Sequence, residues 1–354
     1  MRSYGWLFLG ALTANTAAAQ QPVEFEVGAA GGFLVPHHND MRYLQDGHTL
    51  SLEAAVHFPA DGSKAWHHRF NFPTWGLSGA VHDAASPYLG TAGALTAFID
   101  FPLDGKKILA LRTGAGAGYI SRPFDPDDNF HNGAIGSRLN SALELTLNAR
   151  IGLSSHWVLR TGIGIRHFSN GAFKVPNSGI NLAVLKAALS YRKPLPDPER
   201  LRPAVEEEEK ETKLFAGGSF GMKQAPPYGS PKHGVANGFL NLQKRLTAKS
   251  GWGAEIGVNM NGSLAQRARE AGREGSRSEN FRAYIAAEYR LYLCPIALRF
   301  QAGSYVFPEF EDDGLIFFKY HIIREFGKWQ VFAGLKSHFA KADNIEAGAA
   351  YRIR

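Results

Sequence analysis

Apolar and polar residues alternate with a period of two through much of this chain. From Trp157 the odd positions Trp157, Leu159, Thr161, Ile163 and Ile165 are mainly apolar, whereas the even positions Val158, Arg160, Gly162, Gly164 and Arg166 mix arginines with glycines. Side chains at i and i+2 of a strand share a face, so the segment predicts a strand with one apolar side. Its neighbours agree. Leu143, Leu145, Leu147, Ala149, Ile151 and Leu153 oppose Glu144, Thr146, Asn148 and Arg150, and Ala183, Leu185, Ala187, Leu189 and Tyr191 oppose Lys186, Ser190 and Arg192. Arginines alternating with glycines suit the polar lumen of a membrane barrel, whose apolar side faces lipid.

Similar runs lie near 24–35, 49–58, 74–82, 93–101, 107–120, 139–153, 156–168 and 181–192. Eight is the smallest usual strand number for such a barrel. The fold class expected is therefore all-β, an outer-membrane antiparallel β-barrel with eight strands in the first half. Eight further runs follow near 213–223, 236–247, 251–262, 279–291, 293–305, 314–324, 328–338 and 344–353. The second half is then either a second barrel, a degenerate repeat of the first, or part of one larger barrel of about sixteen strands.

The ends and the composition fit export. Arg2, the apolar run Tyr4 to Leu12 and the small residues Ala17 to Ala19 have the layout of a signal peptide over residues 1–19. The expected organisation is a barrel over 20–192, a Pro/Glu-rich linker over 193–212 and the second strand-rich half over 213–354. No other stretch approaches the roughly 18 apolar residues of a membrane helix, so any crossing is made by strands. Cys294 is the only cysteine, which excludes an intramolecular disulfide and a cysteine-based metal site. The formal charge of +7 fits anionic lipid phosphates; in an exported chain nucleic acid is not an expected partner. No metal or cofactor is expected. His37-His38 and His67-His68 are adjacent pairs whose members would point to opposite faces of a strand, and surface loops are their expected home. Gly114, Gly116 and Gly118 alternate as strand glycines do, with no helix after them. The sequence gives no oligomeric state.

Chemistry gathers at one strand end. His167, Ser169 and Asn181 continue the outward-facing rows of their two segments, and the connection 169–180 between them is long. Long loops of such barrels lie on the outer side, the leaflet where lipopolysaccharide resides. A serine hydroxyl becomes a useful nucleophile when an adjacent imidazole accepts its proton, and i, i+2 placement makes that reach feasible. A hairpin closing around Lys174 sets Asn181 opposite His167, where its amide oxygen can fix the imidazole tautomer. Glu144, the nearest acid on the preceding strand, turns into the lumen. Asn170, Asn177 and the backbone amides of the turn are oxyanion-hole candidates, although Asn177 after Pro176 equally suits an Asx turn. A His and a Ser at a strand end are also what a polar membrane interface carries. In the second half His338-Phe339 echoes His167-Phe168, but alternation from Trp329 turns His338 inward, and His338 with Glu346 reads as a lumenal polar pair.

The run His167-Phe168-Ser169-Asn170-Gly171, followed by Pro176-Asn177-Ser178-Gly179-Ile180, resembles the outer-membrane lipid A 3-O-deacylase family, also termed acyloxyacyl hydrolases. Tyr88-Leu89-Gly90, Pro123-Phe124-Asp125-Pro126 and Ala134-Ile135-Gly136-Ser137-Arg138-Leu139-Asn140 look like the longer bacteroidete-type members. The resemblance implies a serine esterase in the outer membrane of a Gram-negative bacterium. It would remove an ester-linked acyl chain from lipid A of lipopolysaccharide, with Ser169 as nucleophile and His167 as base. The family typically has a glutamate where this chain has Asn181, which implies reduced activity. The competing expectation is a non-catalytic barrel serving transport, structure or lipopolysaccharide binding, and a third makes the second half a lipopolysaccharide-binding or partner-docking module.

Overall fold

The computed structural model describes residues 23–36, 39–193, 210–293, 296–306, 310, 314–339 and 341–354. The expected signal peptide, residues 194–209 of the linker, Cys294, His37 and His38 lie outside them. Eight strands form the first half: β1 (Glu24–Leu34), β2 (His48–Pro59), β3 (Thr74–Asp83), β4 (Thr91–Pro102), β5 (Leu109–Ile120), β6 (Leu139–Gly152), β7 (Trp157–Ser169) and β8 (Ile180–Arg192). Eight more form the second: β9 (Thr212–Gln224), β10 (Lys232–Arg245), β11 (Ser250–Asn261), β12 (Phe281–Tyr292), β13 (Ile296–Val306), β14 (Ile316–Phe326), β15 (Trp329–His338) and β16 (Lys341–Arg352). Two short helices, α1 (Ala65–Arg69) and α2 (Leu264–Glu270), sit in connections.

Each set closes on itself. β1 pairs antiparallel with β8 from Glu24↔Arg192 to Leu34↔Leu182, and β9 pairs with β16 from Phe215↔Arg352 to Met222↔Ile345. The single sixteen-stranded alternative is thereby set aside in favour of two eight-stranded barrels. Among the described residues no helix is long and apolar enough to cross a membrane, and the crossing elements are the strands.

The two faces separate as the alternation requires. Ile163 is 63% exposed on the outer surface, while Arg160 and Arg166 of the same strand are buried in the lumen. An eight-stranded barrel is just wide enough for its interior to be filled by side chains, and here charges fill it. Arg112 makes a bidentate pair with Asp100 at 2.7 and 2.9 Å, Arg166 meets Glu53 at 2.7 Å, and Arg160 meets Glu24 at 2.6 Å. In the second lumen Glu346 accepts from His321 at 2.9 Å and Asn237 at 2.8 Å, and Arg299 and Lys319 flank Glu255. Buried ions left without partners cost several kcal/mol each, so pairing is what lets a charged interior stand.

Two local expectations change. Glu346 lies opposite Gly334 in the ladder, too far along β16 to pair with His338. His338 instead donates from Nδ1 to the Ile316 carbonyl at 2.9 Å and sets Nε2 3.7 Å from Asp343. His67 and His68 fall in α1 rather than a loop, where both bond the Gly62 backbone: His67 Nδ1 accepts its N–H at 3.2 Å and His68 Nε2 donates to its carbonyl at 2.8 Å.

Candidate active site

The β7–β8 register sets His167 directly opposite Asn181, and His167 Nδ1 lies 2.7 Å from Asn181 Oδ1. An amide oxygen is acceptor-only, so Nδ1 carries the ring proton and Nε2 is the basic nitrogen. Ser169 follows two positions along the same face, opposite Ser141 of β6. Unlike the lipid-facing residues below it, Ser169 is only 5% exposed. Residues 170–179 fold back over this strand end and close it in.

Gly179 shows how tightly they do so. Its φ is +83°, and a Cβ there would fall 2.7 Å from Cε1 and 3.4 Å from Nε2 of His167. Only glycine combines that backbone region with so close an approach to the ring. The remainder of the turn is held by side-chain amides. Asn170 donates from Nδ2 to Ser137 Oγ and to the Lys174 carbonyl, both at 2.8 Å, and accepts from Lys174 N–H at 3.3 Å. Its amide is therefore committed to shaping the loop. Asn177 Oδ1 accepts the Asn170 backbone N–H at 2.8 Å, and Gly179 N–H goes to the Ala134 carbonyl at 3.0 Å, so Asn177 does not close an Asx turn on Gly179. Asn177 Nδ2 is buried and has no hydrogen-bond partner among the described residues. A donor in that condition costs about 1–3 kcal/mol unless something it is built for occupies it.

A second wall comes from the connection between β5 and β6. Ile135 bridges Asn177, and a Cβ on Gly136 would strike the Val175 carbonyl at 2.5 Å. Asn129 and Asn132 knit the same connection to the Tyr88 and Arg122 carbonyls. Two backbone N–H groups, of Asp128 and Asp127, hold the Asp125 carboxyl below the usual carboxylate range. The motifs around Pro123 and Ala134 thus support the turn; the sequence offered only their resemblance as a signal. Glu144 points into the lumen, 4.0 Å from Arg112 and 3.8 Å from Arg166, away from His167. Among the described residues no group of three His, Cys, Asp or Glu side chains is placed to hold a metal ion.

The second barrel packs against this turn, which nothing in the sequence indicated. Gln224 N–H donates to the Ala172 carbonyl at 2.8 Å and its Oε1 accepts Val175 N–H at 3.0 Å. Gly171, at φ +60°, admits Ile345 so closely that a Cβ would fall 2.4 Å from Ile345 Cγ1.

Known protein families match both halves of the chain. Residues 50–190 match the profile of lipid A 3-O-deacylase (PagL), and residues 211–354 match that of the acyloxyacyl hydrolase C-terminal domain. No curated protein matches the chain. Among solved structures, a multiply substituted porin of Rh. blastica covers 94% of this chain and 99% of its own at 10% identity, with a TM-score of 0.17. An outer-membrane channel from Pseudomonas putida F1 covers 94% and 96% at 10% identity, with a TM-score of 0.20. Overlaps this loose carry no weight for the fold, which rests on the strand pairing itself. The two profile matches, one on each barrel, place the chain in the lipid A 3-O-deacylase (PagL) family of hydrolases, as a member that also carries the acyloxyacyl hydrolase C-terminal domain.

Proposed function

We propose that this protein is an outer-membrane serine esterase that removes an ester-linked acyl chain from lipid A. The observation that supports the reading is the 2.7 Å contact from His167 Nδ1 to Asn181 Oδ1, which turns Nε2 into the acceptor nitrogen of a ring two residues along the strand from a buried serine. Ser169 Oγ attacks the ester carbonyl while His167 Nε2 takes its proton. The proton then passes to the departing sugar oxygen, leaving the acyl group on Ser169. Water, deprotonated by the same nitrogen, releases the fatty acid and restores the serine. Asn177 Nδ2, buried and without a hydrogen-bond partner among the described residues, is the donor for the negative charge on the carbonyl oxygen, since the backbone N–H groups of Asn170, Phe173, Lys174, Val175 and Gly179 are already bonded within the fold.

Asn181 can orient the ring but, being neutral, adds no charge stabilisation to the imidazolium. In a serine protease, replacing the buried aspartate by asparagine lowered turnover by about 10⁴ because the imidazole was held in the wrong tautomer. Here the tautomer is held correctly, so the expected deficit is the smaller, electrostatic part. The test is mass spectrometry of lipid A from cells producing the full chain beside cells producing Ser169→Ala. Loss of one hydroxyacyl mass in the first and none in the second is the expected result. Unchanged lipid A with correctly inserted parent protein would instead favour a non-catalytic, lipopolysaccharide-binding barrel.

A further inference from the structure

The turn 170–179 is held from both barrels. On one side it is tied to the first, where Asn177 bridges Ile135 and accepts the Asn170 N–H at 2.8 Å. On the other, residues 171 to 175 each meet the second barrel. Ile345 packs onto Gly171, the Ala172 carbonyl accepts the Gln224 N–H at 2.8 Å, and the Lys232 ammonium lies 3.3 Å from the centre of the Phe173 ring. Lys174 approaches the Tyr228 ring at 5.8 Å, and Val175 N–H donates to Gln224 Oε1 at 3.0 Å.

Gln224 makes two of these contacts with hydrogen bonds. It ends β9, is buried, and spends its backbone N–H on Ala172, Oε1 on Val175 and Nε2 on the Ser230 carbonyl at 2.6 Å. Its two side-chain partners are a donor and an acceptor, and only a side-chain amide offers the matching acceptor and donor together. Ser230 is braced in turn, with Oγ 3.5 Å from Gln266 Nε2 of α2, whose Oε1 bonds His233 at 2.8 Å. Gln224 is thus anchored in the second barrel. Within the turn, Asn170 Oδ1 is taken by Lys174 N–H at 3.3 Å, and Val175 N–H finds its acceptor in Gln224. Two residues on, Asn177 grips by Oδ1 the N–H of Asn170, the residue after Ser169, and its Nδ2 has no hydrogen-bond partner among the described residues. The position of that amide is set by Ile135 from one barrel and, through Val175, by Gln224 from the other.

We propose that Gln224 is a positioning residue for acyl transfer: it holds Val175 so that the Asn177 amide stands beside the residue following the nucleophile, and the second barrel thereby completes the site of the first. The inference rests on the esterase reading above and adds what the second barrel does for it. Gln224 acts through the turn and not on the substrate, so its loss lowers kcat and leaves KM in place. An oxyanion donor is worth about 10²–10³ in kcat, and a displacement of about 1 Å can cost about 10². An undocked turn should therefore slow the reaction by about tenfold to a hundredfold.

The test is a double-mutant cycle on the full chain in detergent micelles, reading acyl release from lipid A by the parent, Gln224→Met, Asn177→Ala and the two combined. Gln224→Met keeps the length of the side chain and removes both of its hydrogen bonds. Expected is a kcat lower by about tenfold to a hundredfold with KM within about twofold of the parent, and an effect of Gln224→Met that shrinks to within about twofold once Asn177 is alanine. Amide exchange over residues 170–179, read by mass spectrometry, should quicken by at least about tenfold in Gln224→Met. An equal loss in both backgrounds overturns the proposal, as does a raised KM at parental kcat, or exchange that does not change. Should Gln224→Met not fold, Gln224→Glu, which keeps an acceptor for Val175 N–H, is carried through the same cycle, and its smaller loss must again vanish beside Asn177→Ala. An active parent whose kcat Gln224→Met leaves unmoved sinks this inference alone. A parent that releases no acyl chain, yet whose turn opens in Gln224→Met, sinks the esterase reading and leaves Gln224 as the residue that docks the turn.

Discussion

In the first barrel Trp157 packs edge-on against Tyr191, its partner across β7 and β8, with ring centroids 5.1 Å apart; in the second, Trp329 meets Tyr351 across β15 and β16 at 5.0 Å. From these matching anchors the two hairpins run to a His-Phe pair. His167 lies ten positions beyond Trp157, and His338 nine beyond Trp329. An even interval along a strand returns a side chain to its starting face, and an odd one turns it over. His167 accordingly stands on the outer face beside Asn181. His338 turns inward to the Ile316 carbonyl, next to a bulge at which the ladder skips Asp343. The hairpin ends differ too: residues 170–179 form a folded loop in one, whereas β15 ends at His338 and β16 begins at Lys341 in the other. One residue of register thus separates a histidine set on the outer face against Asn181 from one turned inward onto the Ile316 carbonyl.

The sharpest way to break this comparison is to remove each histidine in turn. His167→Ala should lower acyl release by about 10⁴, chiefly in kcat, because the nucleophile loses its base. His338→Ala should leave kcat and KM within about twofold of the parent, because its ring is held inside the second barrel by the Ile316 carbonyl. Steady-state kinetics on the purified barrels separates the two, and a kcat collapse in His338→Ala would put an end to the division of labour.

A smaller effect, about 10² in kcat, is expected of Gly179→Ala. The added Cβ sits 2.7 Å from His167 Cε1 and forces the ring to tilt, and misplacing a catalytic group by about 1 Å can cost that much. The barrel should still migrate as folded on an unheated gel, since the strand ladder is untouched. Parental kcat in a folded Gly179→Ala protein would mean that the ring position is not what limits the reaction.

Much of this was legible in the alternation, and what was not has identifiable physical causes. Period-two patterning located all sixteen strands to within a few residues, because a barrel wall with lipid on one side and a packed lumen on the other cannot tolerate a slip. Closure was not legible: whether β8 pairs with β1 or β9 depends on which edge is nearer in space, and both edges carry the same pattern. The facing of His167 and Asn181 followed from a turn centred near Lys174. The packing of the 170–179 turn against the second barrel did not, because it comes from Gln224 and Ile345, which are distant in sequence and belong to the other barrel. His338 was correctly turned inward by parity, but its partner was misassigned, since a bulge that brings Asp343 within reach leaves no trace in alternation.

Asn181→Glu sharpens the comparison from the other side, by restoring the charge that a neutral amide lacks. At the position opposite His167 a carboxylate can accept the same Nδ1–H and stabilise the imidazolium, so acyl release should rise by at least about tenfold. The measurement is the rate of fatty-acid release from lipid A under single-turnover conditions. A fall would show that the site is tuned to the amide.

The smallest effect is expected of Glu144→Gln, and it guards the assignment of Asn181. Glu144 is the acid nearest in the sequence on β6, yet it lies opposite Arg166 and faces the lumen. Its removal leaves Arg112 held by Asp100 and Arg166 held by Glu53, so neither guanidinium loses its main partner. At equal amounts of folded barrel the kcat of Glu144→Gln should stay within about twofold of the parent, because a lumenal charge screened by two arginines contributes little to a ring on the opposite face of the wall. A drop of tenfold or more would make Glu144 the carboxylate that serves His167 after all, acting through the sheet, and Asn181 a mere spacer.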